Sequence, residues 1–171
     1  MRAADCFRQD LSEPRCSDMA ENINFHFDVD GENFSSAGEA SIEVKKRLRQ
    51  LGFSPDIIRR VSIAMYEGEI NMVIHANGGI ADVSVTPDEI IIVLEDHGPG
   101  IPDVELAMKE GFSTAKDNIR QLGFGAGMGL PNMKKYTDRM DIDSKVGIGT
   151  KITMTVKIWR RVSMEPYYDK I

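Results

Sequence analysis

The stretch IADVSVTPDEIIIVLEDHGPGIP, residues 80–102, constrains the fold more than any other. Two β-prone runs flank Pro87 and Asp88, which predicts a hairpin with strands at 80–86 and 89–95. The second strand empties into two acids, His97, and two glycines around Pro99. One glycine or one Pro–Gly pair is enough for a turn. This density instead marks backbone that must come close to something flat or charged.

The flanking segments supply the rest of one domain. NINFHFDVD (22–30) alternates Ile23, Phe25, Phe27 and Val29 with polar neighbours, the pattern of a half-buried strand. Ser35 and Ser36 are candidate caps for a helix running to Gly52. Ser54 and Pro55 open a long helix over 54–76 as N-cap and first helical residue. Beyond the hairpin come a short helix at 103–110, a Gly-rich stretch at 111–129 and a helix near 130–138. A strand near 140–144, a turn at VGIGT and a last strand to about Trp159 complete the pattern. The expectation is a single α/β domain over 21–159, its sheet mixed and its helices on one face. Residues 1–20 read as a loose leader and 160–171 as a tail, either a contact surface or disordered.

Charge and cysteine use narrow the function classes. A net charge of −6 repels nucleic acid and anionic membranes, so neither is expected as a partner. Cys6 and Cys16 both fall in the leader and show no disulfide or metal spacing, which fits the cytoplasm. There is no secretory h-region at the start and no apolar run of the roughly 20 residues a span needs.

Three further features carry chemistry. Glu67, Asn71 and His75 recur every four residues, one polar stripe among mostly apolar neighbours. It reads either as a solvated face or as a cleft wall offering a base and an oxygen ligand for Mg²⁺. Glu69 is a rival carboxylate, but it leaves the helix on another face. In QLGFGAGMGLPNMKKY (121–136), glycines alternate from Gly123 to Gly129 directly before a helix. Such a stretch is equally a flexible loop or a phosphate cradle built on a helix N-terminus. Lastly, GIGT (147–150) turns into a strand with Thr150 directed inward.

In this order the elements resemble the GHKL, or Bergerat-fold, ATP-binding superfamily over about residues 22–158. ExxxN…HA (67–76) is similar to its N box, and EDHGPGI (95–101) to its DxGxG box. GFGAGMGL and GIGT are similar to its later glycine boxes. Within it, EDHGPGIPDVELAMKEGFSTA and the compact size resemble bacterial anti-sigma-factor serine/threonine kinases, above all the switch kinases of stress signalling.

The resemblance implies a two-layer α+β sandwich with a mostly antiparallel sheet. It implies ATP and Mg²⁺ as ligands, with Asn71 on the metal and Glu67 as catalytic base. Asp96 would take the adenine amine, Gly98 and Gly100 would keep the backbone low beneath the base, and Thr150 would join the adenine contact. Gly125, Gly127 and Gly129 would wrap the phosphates, with His75, Ile101, Met128 and Leu130 also against the nucleotide. Residues 111–127 would form a lid, in which Lys116 and Arg120 either neutralise phosphate or are merely solvated. Neither a phospho-acceptor helical hairpin nor a transducer domain is visible. The implied reaction is therefore phosphorylation of a small antagonist protein in a partner switch that includes a sigma factor, with homodimerisation through the first strand and helix. The alternative is an ATP-gated partner-binding module that moves no phosphate.

Overall fold

The structure is a computed structural model and describes residues 22–32, 36–115 and 124–158. The leader with Cys6 and Cys16, Ser35, Lys116, Arg120, Gly123 and the tail lie outside these described residues. Strands β1 (Ile23–Asp30), β2 (Gly78–Val85), β3 (Glu89–Asp96), β4 (Arg139–Lys145) and β5 (Gly149–Lys157) form one sheet, ordered β1-β2-β3-β5-β4. All four pairings are antiparallel, where the pattern pointed to a mixed sheet and the resemblance to a mostly antiparallel one. β3 and β4 do run the same way, but β5 inserts between them, so no parallel pair becomes adjacent.

The period-two pattern puts one face of every strand inward. Phe25 lies opposite Val83, Val83 opposite Ile92, and Ile92 opposite Met154, all buried. Each such side chain contributes about 1.5–3 kcal/mol relative to exposure. The other face mixes polar residues with Ile80, Ile91 and Val93, and there His26 Nδ1 meets Asp82 at 2.6 Å across the register, which raises the imidazole pKa. The hairpin turn is held by Thr86, whose hydroxyl accepts the amides of Asp88 and Glu89.

Helices α1 (Glu39–Gln50) and α2 (Pro55–His75) cover the inward face through Val44, Leu48, Val61, Met65 and Met72. The start of α2 is as expected: Pro55 is the first residue and Ser54 Oγ accepts the Ile57 amide at 3.4 Å. Midway, α2 lies so close to the sheet that a Cβ at Gly68 would stand 2.0 Å from Leu94 Cδ1. Glycine here leaves the Leu94 side chain its place against the helix, and Gly68 adjoins Glu67.

The cap of α1 departs from expectation. Its N-cap is Gly38, in the left-handed region at φ 101°, and the capping group comes from α2. Glu69 Oε1 accepts the amides of Gly38 (2.8 Å) and Ala40 (3.1 Å), and Oε2 accepts that of Ser41 (3.0 Å). With 2% exposure, this carboxylate meets three orphan donors and the positive end of the helix at once, which no single hydroxyl can do. Glu69 therefore faces away from Asn71, as the spacing predicts, but it is a structural group and not a bystander. Glu69→Gln turns an NH₂ toward donors that need an acceptor, at a cost of about 1–3 kcal/mol. A thermal melt should show that loss, while nucleotide affinity measured below the transition stays at the parent value.

Helix α3 (Val104–Ala107) is capped by Asp103 Oδ1, which accepts the Leu106 amide at 2.8 Å. Helix α4 (Gly129–Tyr136) buries Leu130 and Met133 against the core. Its far end is tied down by Arg60 of α2, which donates to the Tyr136 carbonyl (3.2 Å) and the Asp138 carboxylate (2.7 Å). Burial alone would push the Asp138 carboxyl up, but the Lys157 amide and Arg60 outweigh it and hold it below its ordinary value. This clamp holds the C-terminal end of α4 to α2, while its first residues, Gly129 and Leu130, lie at the site.

Candidate nucleotide site

The polar stripe of α2 walls a cavity of about 610 Å³, within the usual range for small-molecule pockets. Glu67, Asn71 and His75 form one side, and Asp96, Thr150 and Ile152 of the sheet form the floor. Gly100 and Ile101 close one end, while Gly125, Gly127, Met128, Gly129 and Leu130 close the other. Of the residues assigned to catalysis, metal or nucleotide by the resemblance, all but Gly98 line this space.

Gly98 and Gly100 have internal duties that the sequence did not reveal. A Cβ on Gly98 would stand 2.5 Å from Ala76 Cβ, so this glycine lets the loop pass the end of α2. At Gly100 (φ +71°) a Cβ would stand 2.4 Å from the Lys145 carbonyl of the β4–β5 hairpin. The Gly147 amide donates to the Pro99 carbonyl (2.8 Å) and pins the two loops together. Gly98 is not among the residues lining the cavity, and its place beneath a flat ligand stays a proposal. Its closeness is to the protein itself.

At the floor, Asp96 Oδ1 accepts the amides of Gly98 (2.8 Å) and Thr150 (3.2 Å). Both bonds fall on one oxygen, so Oδ2 can serve a ligand. Thr150, 8% exposed, shares a 2.8 Å hydroxyl contact with Ser144, and Ser144 Oγ also accepts the Ile101 amide at 2.8 Å. Sequence reasoning passed over Ser144. Its signal was register, since it lies opposite Thr150 across β4 and β5. His75 also lines the cavity, where burial pushes its imidazole pKa down and the charge of Asp96 only partly offsets this.

At the far end the glycines fit the start of α4 against α2. A Cβ at Gly129 would stand 2.9 Å from Asn71 Nδ2 and 3.0 Å from its Oδ1, so Asn71 sits directly over the helix N-terminus. The Gly111 amide donates to the Gly127 carbonyl at 3.0 Å, and Gly127 has φ +74°. The two ends of the expected lid are therefore bonded to each other. Asn132 is a second residue the sequence reading missed: its Nδ2 donates to Glu67 Oε1 at 2.6 Å.

Among the described residues no three His, Cys, Asp or Glu side chains converge as a metal site. The donor set beside α4 is one amide oxygen and one carboxylate, hard ligands that suit Mg²⁺ completed by water and phosphate. No helix among the described residues is long and apolar enough to cross a membrane.

Comparison with known proteins agrees with this geometry. The family described as histidine kinase-, DNA gyrase B-, and HSP90-like ATPase matches residues 57–160. The chain is 33% identical over 108 residues to the serine/threonine-protein kinase RsbT of Bacillus subtilis (strain 168), covering 61% of this chain and 75% of that protein. It is 32% identical over 143 residues to an anti-sigma F factor of Bacillus licheniformis, covering 80% of this chain and 92% of that one. A crystal structure of the RsbU and RsbW domains of a Mycobacterium tuberculosis protein shares the fold, with a TM-score of 0.57 at 15% identity. That alignment takes in 81% of this chain and a third of the other, 33%. On these grounds the chain belongs to the histidine kinase-, DNA gyrase B-, and HSP90-like ATPase family, the GHKL superfamily its glycine boxes resemble.

Proposed function

We propose that the protein is an ATP-dependent serine/threonine kinase that phosphorylates a small antagonist protein in a sigma-factor partner switch. The observation that carries this reading is the Glu67 carboxylate, held over the cavity one helical turn from Asn71 and beside the N-terminus of α4. A module that only bound nucleotide would not need a fixed base there. The names of the relatives, a serine/threonine kinase and anti-sigma F factors, support the same class.

In this reading the cavity sorts the ligand by polarity. Asp96 Oδ2 accepts the adenine amine, with Thr150 and Ser144 completing the polar floor. The phosphates lie at the other end, where Gly125, Gly127 and Gly129 bring backbone close and the dipole of α4 favours negative charge. Asn71 would hold Mg²⁺, which supplies charge neutralisation for the phosphates. Glu67 takes the proton of the acceptor hydroxyl. Positioning and charge neutralisation provide most of the rate, and a placed base adds to them.

The adenine end gives a direct test. Asp96→Asn keeps Oδ1 for the Gly98 and Thr150 amides but replaces the acceptor Oδ2 with an NH₂. Calorimetry should show ATP affinity weaker by about 1–3 kcal/mol, with a parent-like melt. Unchanged affinity would move the adenine site elsewhere. For the whole reading, the experiment is single-turnover transfer of labelled phosphate from ATP to candidate antagonist proteins. A parent that binds Mg-ATP yet labels none of them would be an ATP-gated binder instead.

A further inference from the structure

We infer that Asn132 is a positioning residue for the catalytic base, a role that rests on the kinase reading above. Asn132 sits in the first turn of α4, three residues after Gly129, with its amide bonded to the Met128 carbonyl at 2.9 Å. Its side chain crosses to α2 and donates through Nδ2 to Glu67 Oε1 at 2.6 Å. A carboxylate offers only acceptors, so this contact also fixes which way round the amide lies. Both ends of the bond stand on rigid elements. Leu130 and Met133 anchor α4 in the core, and Arg60 ties its C-terminal end to α2. Glu67 is neighboured by Gly68, where the helix touches Leu94.

The consequence is a division of labour between the two carboxylate oxygens. Oε1 is committed to Asn132, so the rotamer of Glu67 is set and Oε2 is left for the acceptor. In the transfer step the acceptor oxygen attacks the γ-phosphorus and its bond to that phosphorus forms. The bond from the γ-phosphorus to the bridging oxygen of ADP breaks, ADP leaves with the electron pair, and the acceptor's proton passes to Glu67 Oε2. Water balances the same step as a simple acceptor, releasing inorganic phosphate. Because Asn132 and Gly129 share one turn of α4, the helix that meets the phosphates is also the helix that aims the base. Phosphate binding and base alignment are therefore set by one rigid body.

The test uses purified protein and γ-labelled Mg-ATP in single turnover, with water as acceptor. Asn132→Ala should release phosphate at least about tenfold more slowly, while its Kd for Mg-ATP stays within about twofold of the parent. The decisive arm is the double variant. Once Glu67→Gln has removed the base, adding Asn132→Ala should change the remaining rate by less than about twofold. A residue that acted only through the packing of α4 would slow both backgrounds equally, and that result overturns the inference. So does an Asn132→Ala rate equal to the parent's. Should the alanine variant melt below the assay temperature, Asn132→Ser, which truncates the same contact, carries the same two comparisons. A parent that releases no phosphate and labels no antagonist overturns the kinase reading itself, and the positioning role with it.

Discussion

Glu67→Gln should transfer phosphate at least about 100-fold more slowly than the parent while binding Mg-ATP nearly as tightly, because a placed base adds typically 10²–10⁴-fold. The geometry makes this substitution unusually clean. Glu67 is bonded through Oε1 to the Asn132 amide, and a glutamine keeps that acceptor in place. What disappears is the charge and the proton-accepting capacity of the other oxygen. Asn71 and the N-terminus of α4 are untouched, so the groups assigned to Mg²⁺ and phosphate keep their positions. Rates from rapid-quench transfer and affinities from calorimetry on the same preparation separate the chemical step from binding. If the two rates match, Glu67 is not the base. If affinity falls with rate, Glu67 belongs with the ligands of the metal.

The neighbouring carboxylate shows why the pairing of positions 67 and 69 matters. The two lie two residues apart on α2, and the sequence separates them only by helical phase. That phase correctly directs Glu69 away from Asn71, yet nothing local discloses its target, the start of α1 some thirty residues upstream. A buried carboxylate that caps another helix is a tertiary event. Helical periodicity exposes the stripe of Glu67, Asn71 and His75 because its signal lies within one element. Strand alternation exposes the inward face of the sheet for the same reason.

What stayed hidden depended on two elements meeting. Asn132 reads as an ordinary residue of a short helix until α4 is laid against α2. Ser144 becomes a floor residue only once β4 is in register with Thr150 of β5. That the sheet is antiparallel throughout was hidden in the same way, since strand order cannot be read from strand direction alone. The glycines divide along the same line. Their density in EDHGPGIP signalled close approach, but Gly98 approaches Ala76 and Gly100 the β4–β5 hairpin, contacts between distant parts of one chain.

The turn GIG, residues 147–149, turns that distinction into the second large effect. Both glycines have positive φ, +77° at Gly147 and +148° at Gly149, so alanine is strained at either. Their surroundings differ. A Cβ on Gly147 meets nothing within 4 Å, whereas one on Gly149 stands 2.0 Å from the Asp96 carbonyl oxygen and 3.0 Å from His97 Cα. That carbonyl has little freedom to retreat, because Asp96 is paired with Thr150 in the sheet. Gly147→Ala should cost about 1–2 kcal/mol of backbone strain and leave nucleotide affinity alone. Gly149→Ala adds overpacking to that strain and should cost about 3 kcal/mol or more. To relieve the clash, β5 must move away from the end of β3, and the Thr150 amide then leaves Asp96 Oδ1. The adenine acceptor loses its support, so ATP affinity should fall at least about tenfold in whatever fraction stays folded, the scale of one lost buried polar contact. For a chain of this length each kcal/mol moves Tm by about 2–4 °C, so paired melts resolve the two variants and calorimetry below both transitions reads the affinities. Equal melts for Gly147→Ala and Gly149→Ala would mean that the contact with Asp96 is not what makes Gly149 necessary. A low melt with parent-like ATP affinity would separate the β3–β5 junction from the adenine site.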